Sequence, residues 1–97
     1  MDASTQQSNC DAALHILTSW GLDSQQKKQL LGDYDNVLAV ISIHDSLVRI
    51  FDFDEERACK WPTKKNKQFA GATAVEVMLS GDCERVRSYL RYHVFNA

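Results

Sequence analysis

The stretch from Val37 to Phe53 constrains the fold more than any other part of the chain. It holds two apolar runs rich in β-branched residues, Val37-Leu-Ala-Val-Ile-Ser-Ile43 and Leu47-Val-Arg-Ile-Phe-Asp-Phe53, separated by His44-Asp-Ser46. At a period of two this is a β-hairpin. At helical spacing, Val37, Val40, Ile41, His44, Leu47, Val48 and Phe51 form one wide stripe. Leu38, Ile43 and Ile50 then extend apolar cover to other sides, so the helix is a central one. Asp-Ser is a weaker hairpin turn than Asn-Gly or Asp-Gly, and a lone hairpin among helices leaves edges to cover. The pattern favours the helix and leaves the hairpin open.

The flanking segments have helical signatures. Residues 1–9 are polar and are expected to form a flexible tail, with residues 10–97 as the folded domain. Ser8 or Asn9 can cap a helix whose stripe is Ala13, Leu14, Leu17 and Trp20, widened by Ile16. Gly21 stands where a C-terminal glycine belongs. Asp23 and Gln26 have capping-box spacing, with Leu30 and Leu31 as the apolar teeth of a second helix that Gly32 ends. Asp52–Glu55 reads as a further helix start, running through Arg57, Ala58 and Trp61 until Pro62 stops it. A basic loop follows, with Lys64, Lys65 and Lys67. Thr73 and Glu76 form another capping box, opening a helix with Val75, Met78 and Leu79 inward that Gly81 ends. Asp82 caps the last helix, in which Val86, Tyr89, Leu90 and His93 share a face. The expected fold is all-α: a compact bundle of about six mostly short helices around a longer central one.

With 97 residues the chain is one domain that hides roughly two thirds of its unfolded surface. A core of that size, with a helix apolar on most sides, predicts a homodimer. Hydrophobic residues at 44% and charged residues at 25% exclude wholesale disorder. No apolar run approaches the roughly 20 residues of a membrane span. The N-terminus lacks the basic and apolar regions of a secretory signal, so the expected compartment is the cytoplasm. Cys10, Cys59 and Cys83 are odd in number and without a CxxC, which argues against a disulfide framework or zinc site and for structural thiols.

The net charge of −2 conceals a split. Residues 1–56 carry three basic groups against ten acids, 3 − 10 = −7; residues 57–97 carry eight against three, 8 − 3 = +5. A basic face for an acidic partner, or neutralisation of one half by the other, both follow.

Catalysis leaves no signature. His15, His44 and His93 fall on apolar faces of predicted helices, where histidine is more often a hydrogen-bonded core residue than a catalyst. The chain has no HExxH, GxSxG or phosphate loop. Asp52, Asp54, Glu55 and Glu56 lack calcium-loop spacing and suit a helix N-terminus. No enzyme activity, cofactor or metal is expected. Lys27 and Lys28 with Lys64, Lys65 and Lys67 are the candidate nucleic-acid contacts, against a default of solvated lysines.

Two stretches together resemble the toxin-binding domain of Xre/MbcA/ParS-type antitoxins. Leu17-Thr-Ser-Trp-Gly-Leu-Asp-Ser-Gln-Gln-Lys-Lys-Gln-Leu-Leu-Gly32 is similar to that family's Trp-Gly-Leu, polar stretch, Leu-Leu-Gly opening. Trp61, Asn66, Phe69, Gly71, Ala74, Met78, Leu79, Gly81, Val86, Arg87, Tyr89 and Leu90 follow the order of its second motif set. The resemblance covers about four fifths of the chain and places Val37–Phe51 on the family's long central helix. It implies an antitoxin that binds and neutralises a RES-type, NAD-using toxin through its C-terminal helices. Arg85, Arg87, Tyr89, Arg91, Tyr92, His93 and Phe95 are the expected contacts. Trp20, Gly21, Gly32, Trp61, Asn66, Phe69, Gly71 and Gly81 are the expected structural positions. One departure matters: Gly32 passes almost directly into Asp33-Tyr-Asp-Asn36, so the helix that would read a DNA groove is missing. The chain also ends soon after its last helix, which leaves only a short segment to plug a toxin. A small DNA-binding regulator derived from the helix-turn-helix, or an orphan protein-interaction module, are the alternative functions.

Overall fold

In the computed structural model, which describes residues 3–96, the chain folds as an all-α bundle: α1 (Ala3–Ser19), α2 (Ser24–Leu31), α3 (Tyr34–Ile50), α4 (Glu55–Lys60), α5 (Ala74–Leu79) and α6 (Cys83–Asn96). Two 3-10 turns, Trp61–Thr63 and Lys67–Phe69, lie between α4 and α5. The described residues hold no strand, only an isolated antiparallel bridge between Lys65 and Thr73.

The Val37–Phe53 stretch is helical through Ile50. Asp33 caps α3 by accepting from the Asp35 amide at 2.9 Å, and α1 and α6 are its principal neighbours. Val37, Ala39, Val40, Ile43, Ser46 and Leu47 are buried, while Ile41, His44, Val48 and Phe51 are only half-buried. The line of deepest burial is thus turned from the stripe predicted, because the helix is clamped from two sides rather than laid on one surface. α1, α2, α4 and α6 cover it within a single chain, and of its apolar residues only Ile50 is exposed. The cover that the sequence argument sought from a second copy comes from the chain itself.

α1 starts earlier than its polar composition suggests. Ala3–Asn9 is helical rather than a flexible tail, and Met1 and Asp2 lie outside the described residues. Gln7 Nε2 donates to Asp11 Oδ1 at 2.9 Å, and Asn9 Nδ2 donates to the Tyr34 hydroxyl at 2.8 Å, which ties this turn to the start of α3. Ala13, Ile16, Leu17 and Trp20 are buried. Leu14 is not part of that buried stripe: one position from Ala13, it is turned about 100° from the core line and stands exposed, as does His15. α1 is as long as α3, at 17 residues each, so the central helix is not the single long one.

Both predicted capping boxes form. Gln26 N donates to Asp23 Oδ1 at 2.8 Å and Asp23 N to Gln26 Oε1 at 3.0 Å; Thr73 and Glu76 do the same at 3.0 and 3.0 Å. Gly21, at φ +82°, closes α1 in a Schellman turn, with Gly21 N to Thr18 O at 3.0 Å and Leu22 N to Leu17 O at 3.3 Å. Gly32 ends α2 in an ordinary right-handed conformation. Asp52 is not a helix start. It completes the same Schellman pattern at the end of α3, and α4 is capped by Asp54, which accepts from Arg57 N at 3.2 Å.

Candidate protein-interaction surface

The second motif set converges on one aromatic cluster. Pro62 occupies the first turn of the 3-10 segment that succeeds α4, where its missing N–H and fixed φ do no harm, and this turn sets Trp61 against α6. Trp61 and Tyr89 stack at 6.2 Å between ring centroids and 12° between planes. Phe69 meets both edge-on, at 6.2 Å from Trp61 and 5.3 Å from Tyr89. Asn66 holds the loop that presents Phe69: its side chain accepts from Gln68 N at 2.8 Å, and its backbone pairs with Ala72 O and Gly71 N at 3.0 Å each. Closing that loop requires left-handed backbone at Ala70 (φ +56°) and Gly71 (φ +87°), which is why a glycine stands there. Arg85 seals the cluster, its guanidinium 5.4 Å from the Phe69 ring centroid and donating to Gln68 O at 3.1 Å.

The seven expected contact residues therefore divide. Arg85 and Tyr89 are committed to the cluster. Arg87 is half-buried rather than exposed: Nη1 lies 3.7 Å from Glu84 Oε2, and Nε is buried without a partner. Its guanidinium lines a groove with Asp35, Asn36 and Ala39 at the start of α3. Arg91, Tyr92, His93 and Phe95 are exposed on the last turns of α6. Tyr92 is 64% and Phe95 80% accessible. His93 sits 4.4 Å from the Tyr89 ring and 5.7 Å from Tyr92, so its setting is an exposed aromatic one rather than a hydrogen-bonded core.

Along the α3–α6 seam, Arg87 faces Asp35–Ala39, Arg91 faces Ser42–Arg49, and His93 and Val94 meet Arg49 and Ile50. The two helices run in the same sense and finish at the same end of the bundle. That end gathers Ile50, Phe53, Tyr92 and Phe95, four of the five large apolar side chains that stand exposed among the described residues. Ser42, Ser46, Arg49, Ile50 and Phe53 belong to this surface and carry no motif in the sequence; only the register of α6 on α3 brings them there.

The candidate nucleic-acid lysines belong to separate elements. Lys27 Nζ donates to Thr18 Oγ1 at 3.4 Å, whereas Lys64, Lys65 and Lys67 stand exposed on the bridge loop. Cys10, Cys59 and Cys83 are free thiols. Burial, reinforced by the charges of Asp82 and Asp33, pushes the Cys83 thiol up to about 11. No helix among the described residues is long and apolar enough to cross a membrane. Comparison with protein-family models, with curated proteins and with solved structures gives no match.

Proposed function

We propose that this chain is a non-enzymatic, antitoxin-like protein that binds and neutralises a toxin through the shared end of α6 and α3. The observation that carries the reading is the gathering of exposed Tyr92 and Phe95 beside Arg91 on the last turns of α6, in a bundle whose other aromatic residues, Phe53 apart, are buried or half-buried. Exposed aromatic and arginine side chains in one patch are the composition of a protein contact. The ordered motif set supports a RES-type, NAD-using toxin as the partner, and a cytoplasmic setting goes with it.

Two further parts of the reading concern assembly and DNA. The exposed corner at Ile50 and Phe53 supports a homodimer. Sequence-specific DNA binding is not included, because the helix that follows α2 is α3, whose sides are covered by α1 and α6.

The test is co-expression with the product of the neighbouring open reading frame. Neutralisation of a toxic RES-like product is expected, along with its loss in an Arg91→Glu, Phe95→Ala double variant that melts like the parent. Unchanged neutralisation by that variant removes the α6 end from the interface. A neighbour that is neither toxic nor bound leaves the orphan interaction module as the better reading.

A further inference from the structure

We infer that the groove between α3 and α6, lined by Ser42, Asp45, Ser46, Arg49, Arg91 and Phe95, is a receptor for an oxyanion, a carboxylate or phosphoryl group. Its volume is about 290 Å³, which is room for such a group and some of its water. Two guanidinium groups and two hydroxyls line it against a single carboxylate. Arg49 gives its Nε to Asp45 Oδ2 at 3.1 Å, leaving the terminal nitrogens of its fork available. The Arg91 side chain makes no ion pair or hydrogen bond among the described residues.

Arginines near the ends of helices can simply complement the helix dipole. Ser46 is what that account leaves out. It is 6% exposed, the one buried polar residue among the described residues, and the exposure it keeps opens onto the groove. It lines the groove, and the half-buried Ser42, four residues earlier and one helical turn away, lines it too. Hydroxyls that donate beside two guanidinium groups satisfy an oxyanion, and an oxyanion satisfies them. The oxyanion site stands on this chain alone, and only its use as the seat of a partner's acidic group rests on the toxin-binding reading.

The test is titration of the ¹⁵N-labelled full chain with inorganic phosphate and, separately, with acetate, ionic strength being held constant with sodium chloride. Saturable shifts are expected at Ser42 and Ser46 and at the side-chain N–H groups of Arg49 and Arg91, with Kd on the order of millimolar, the strength of a few exposed polar contacts. Arg91→Gln should weaken binding by about tenfold, the effect of one charged hydrogen bond, and Asp45→Asn should tighten it. Both variants should keep the parent's dispersed spectrum away from the groove. Tighter phosphate than acetate assigns a phosphoryl ligand, and the reverse assigns a carboxylate. Shifts that rise linearly without saturating, or that persist unchanged in Arg91→Gln, overturn the site. No toxin enters the experiment, so its failure and that of the toxin-binding reading are separate results.

Discussion

At the residue scale, the sequence is most legible where one side chain alone determines the backbone. Gly21 marks a helix end because left-handed backbone suits glycine, and the same turn at Asp52 and Phe53 is hidden because neither residue signals it. The site residues are legible by type but not by direction: Arg85 and Arg91 look alike in the sequence, and only the position of Phe69 turns one inward. Cys83 illustrates what burial adds to an ordinary thiol. It is 5% exposed, its Sγ lies 3.8 Å from Met78 O, and its thiol is raised from 9.0 to about 11. A raised thiol favours the protonated form in the folded state. Its contribution is complete below pH 9 and is lost as pH rises through 11. Each pH step of one above the unfolded thiol's value removes about 1.4 kcal/mol. Between pH 8 and pH 10.5 the chain should therefore lose about 2 kcal/mol more than Cys83→Ala does. Denaturant melts of both proteins at the two pH values measure it, and parallel losses would refute it.

At the scale of the element, helix starts are legible wherever a cap and its reciprocal partner both lie in the sequence, as at Asp23 with Gln26 and Thr73 with Glu76. The early turns of α1 are legible only in part: Asn9, its seventh residue, reaches Tyr34, 25 residues away, and no local pattern encodes that bond. The central helix is only half legible. Its β-branched residues suit either period, and the choice rests on the helices around it rather than on its own composition. Thr73 offers the clean measurement. Its hydroxyl accepts from Glu76 N at 3.0 Å in a six-residue helix that lays Ala74, Val75, Val77 and Met78 into the core. So short a helix has little stability of its own, and Thr73→Ala should cost about 1 kcal/mol. Thr73→Ser, which keeps the hydroxyl, should recover most of that loss in a thermal melt. An unchanged melting temperature in Thr73→Ala would mean that packing alone fixes α5.

At the scale of the whole molecule, the question is why two strained residues stand at the end where α3 and α6 finish. Asp52 and Phe53 hold left-handed backbone, at φ 54° and 64°, which costs a non-glycine residue about 1–2 kcal/mol. At Gly21 the corresponding turn is completed by Leu22, which is buried against the core; at Asp52 it is completed by Phe53, which is 72% exposed and so gains little from the turn it completes. Strain held at an exposed aromatic residue is a reason to test that residue for a role outside the fold. If Phe53 and the neighbouring Ile50 meet a second copy, light scattering at tens of micromolar should give twice the monomer mass. Phe53→Gly should then have opposite effects on assembly and stability. It removes the aromatic contact and returns the particle to the monomer mass. It also relieves the backbone, so at concentrations low enough for both proteins to be monomeric the variant should melt higher. The expected gain is up to about 1 kcal/mol after the extra freedom of glycine in the unfolded chain is subtracted, or roughly 4–8 °C for a domain of this size. A variant that stays dimeric moves the interface elsewhere, and a wild-type chain at monomer mass throughout the micromolar range removes the homodimer. A variant that melts lower as a monomer shows that Phe53 is held by the fold itself, and the strain then has no functional claim on it.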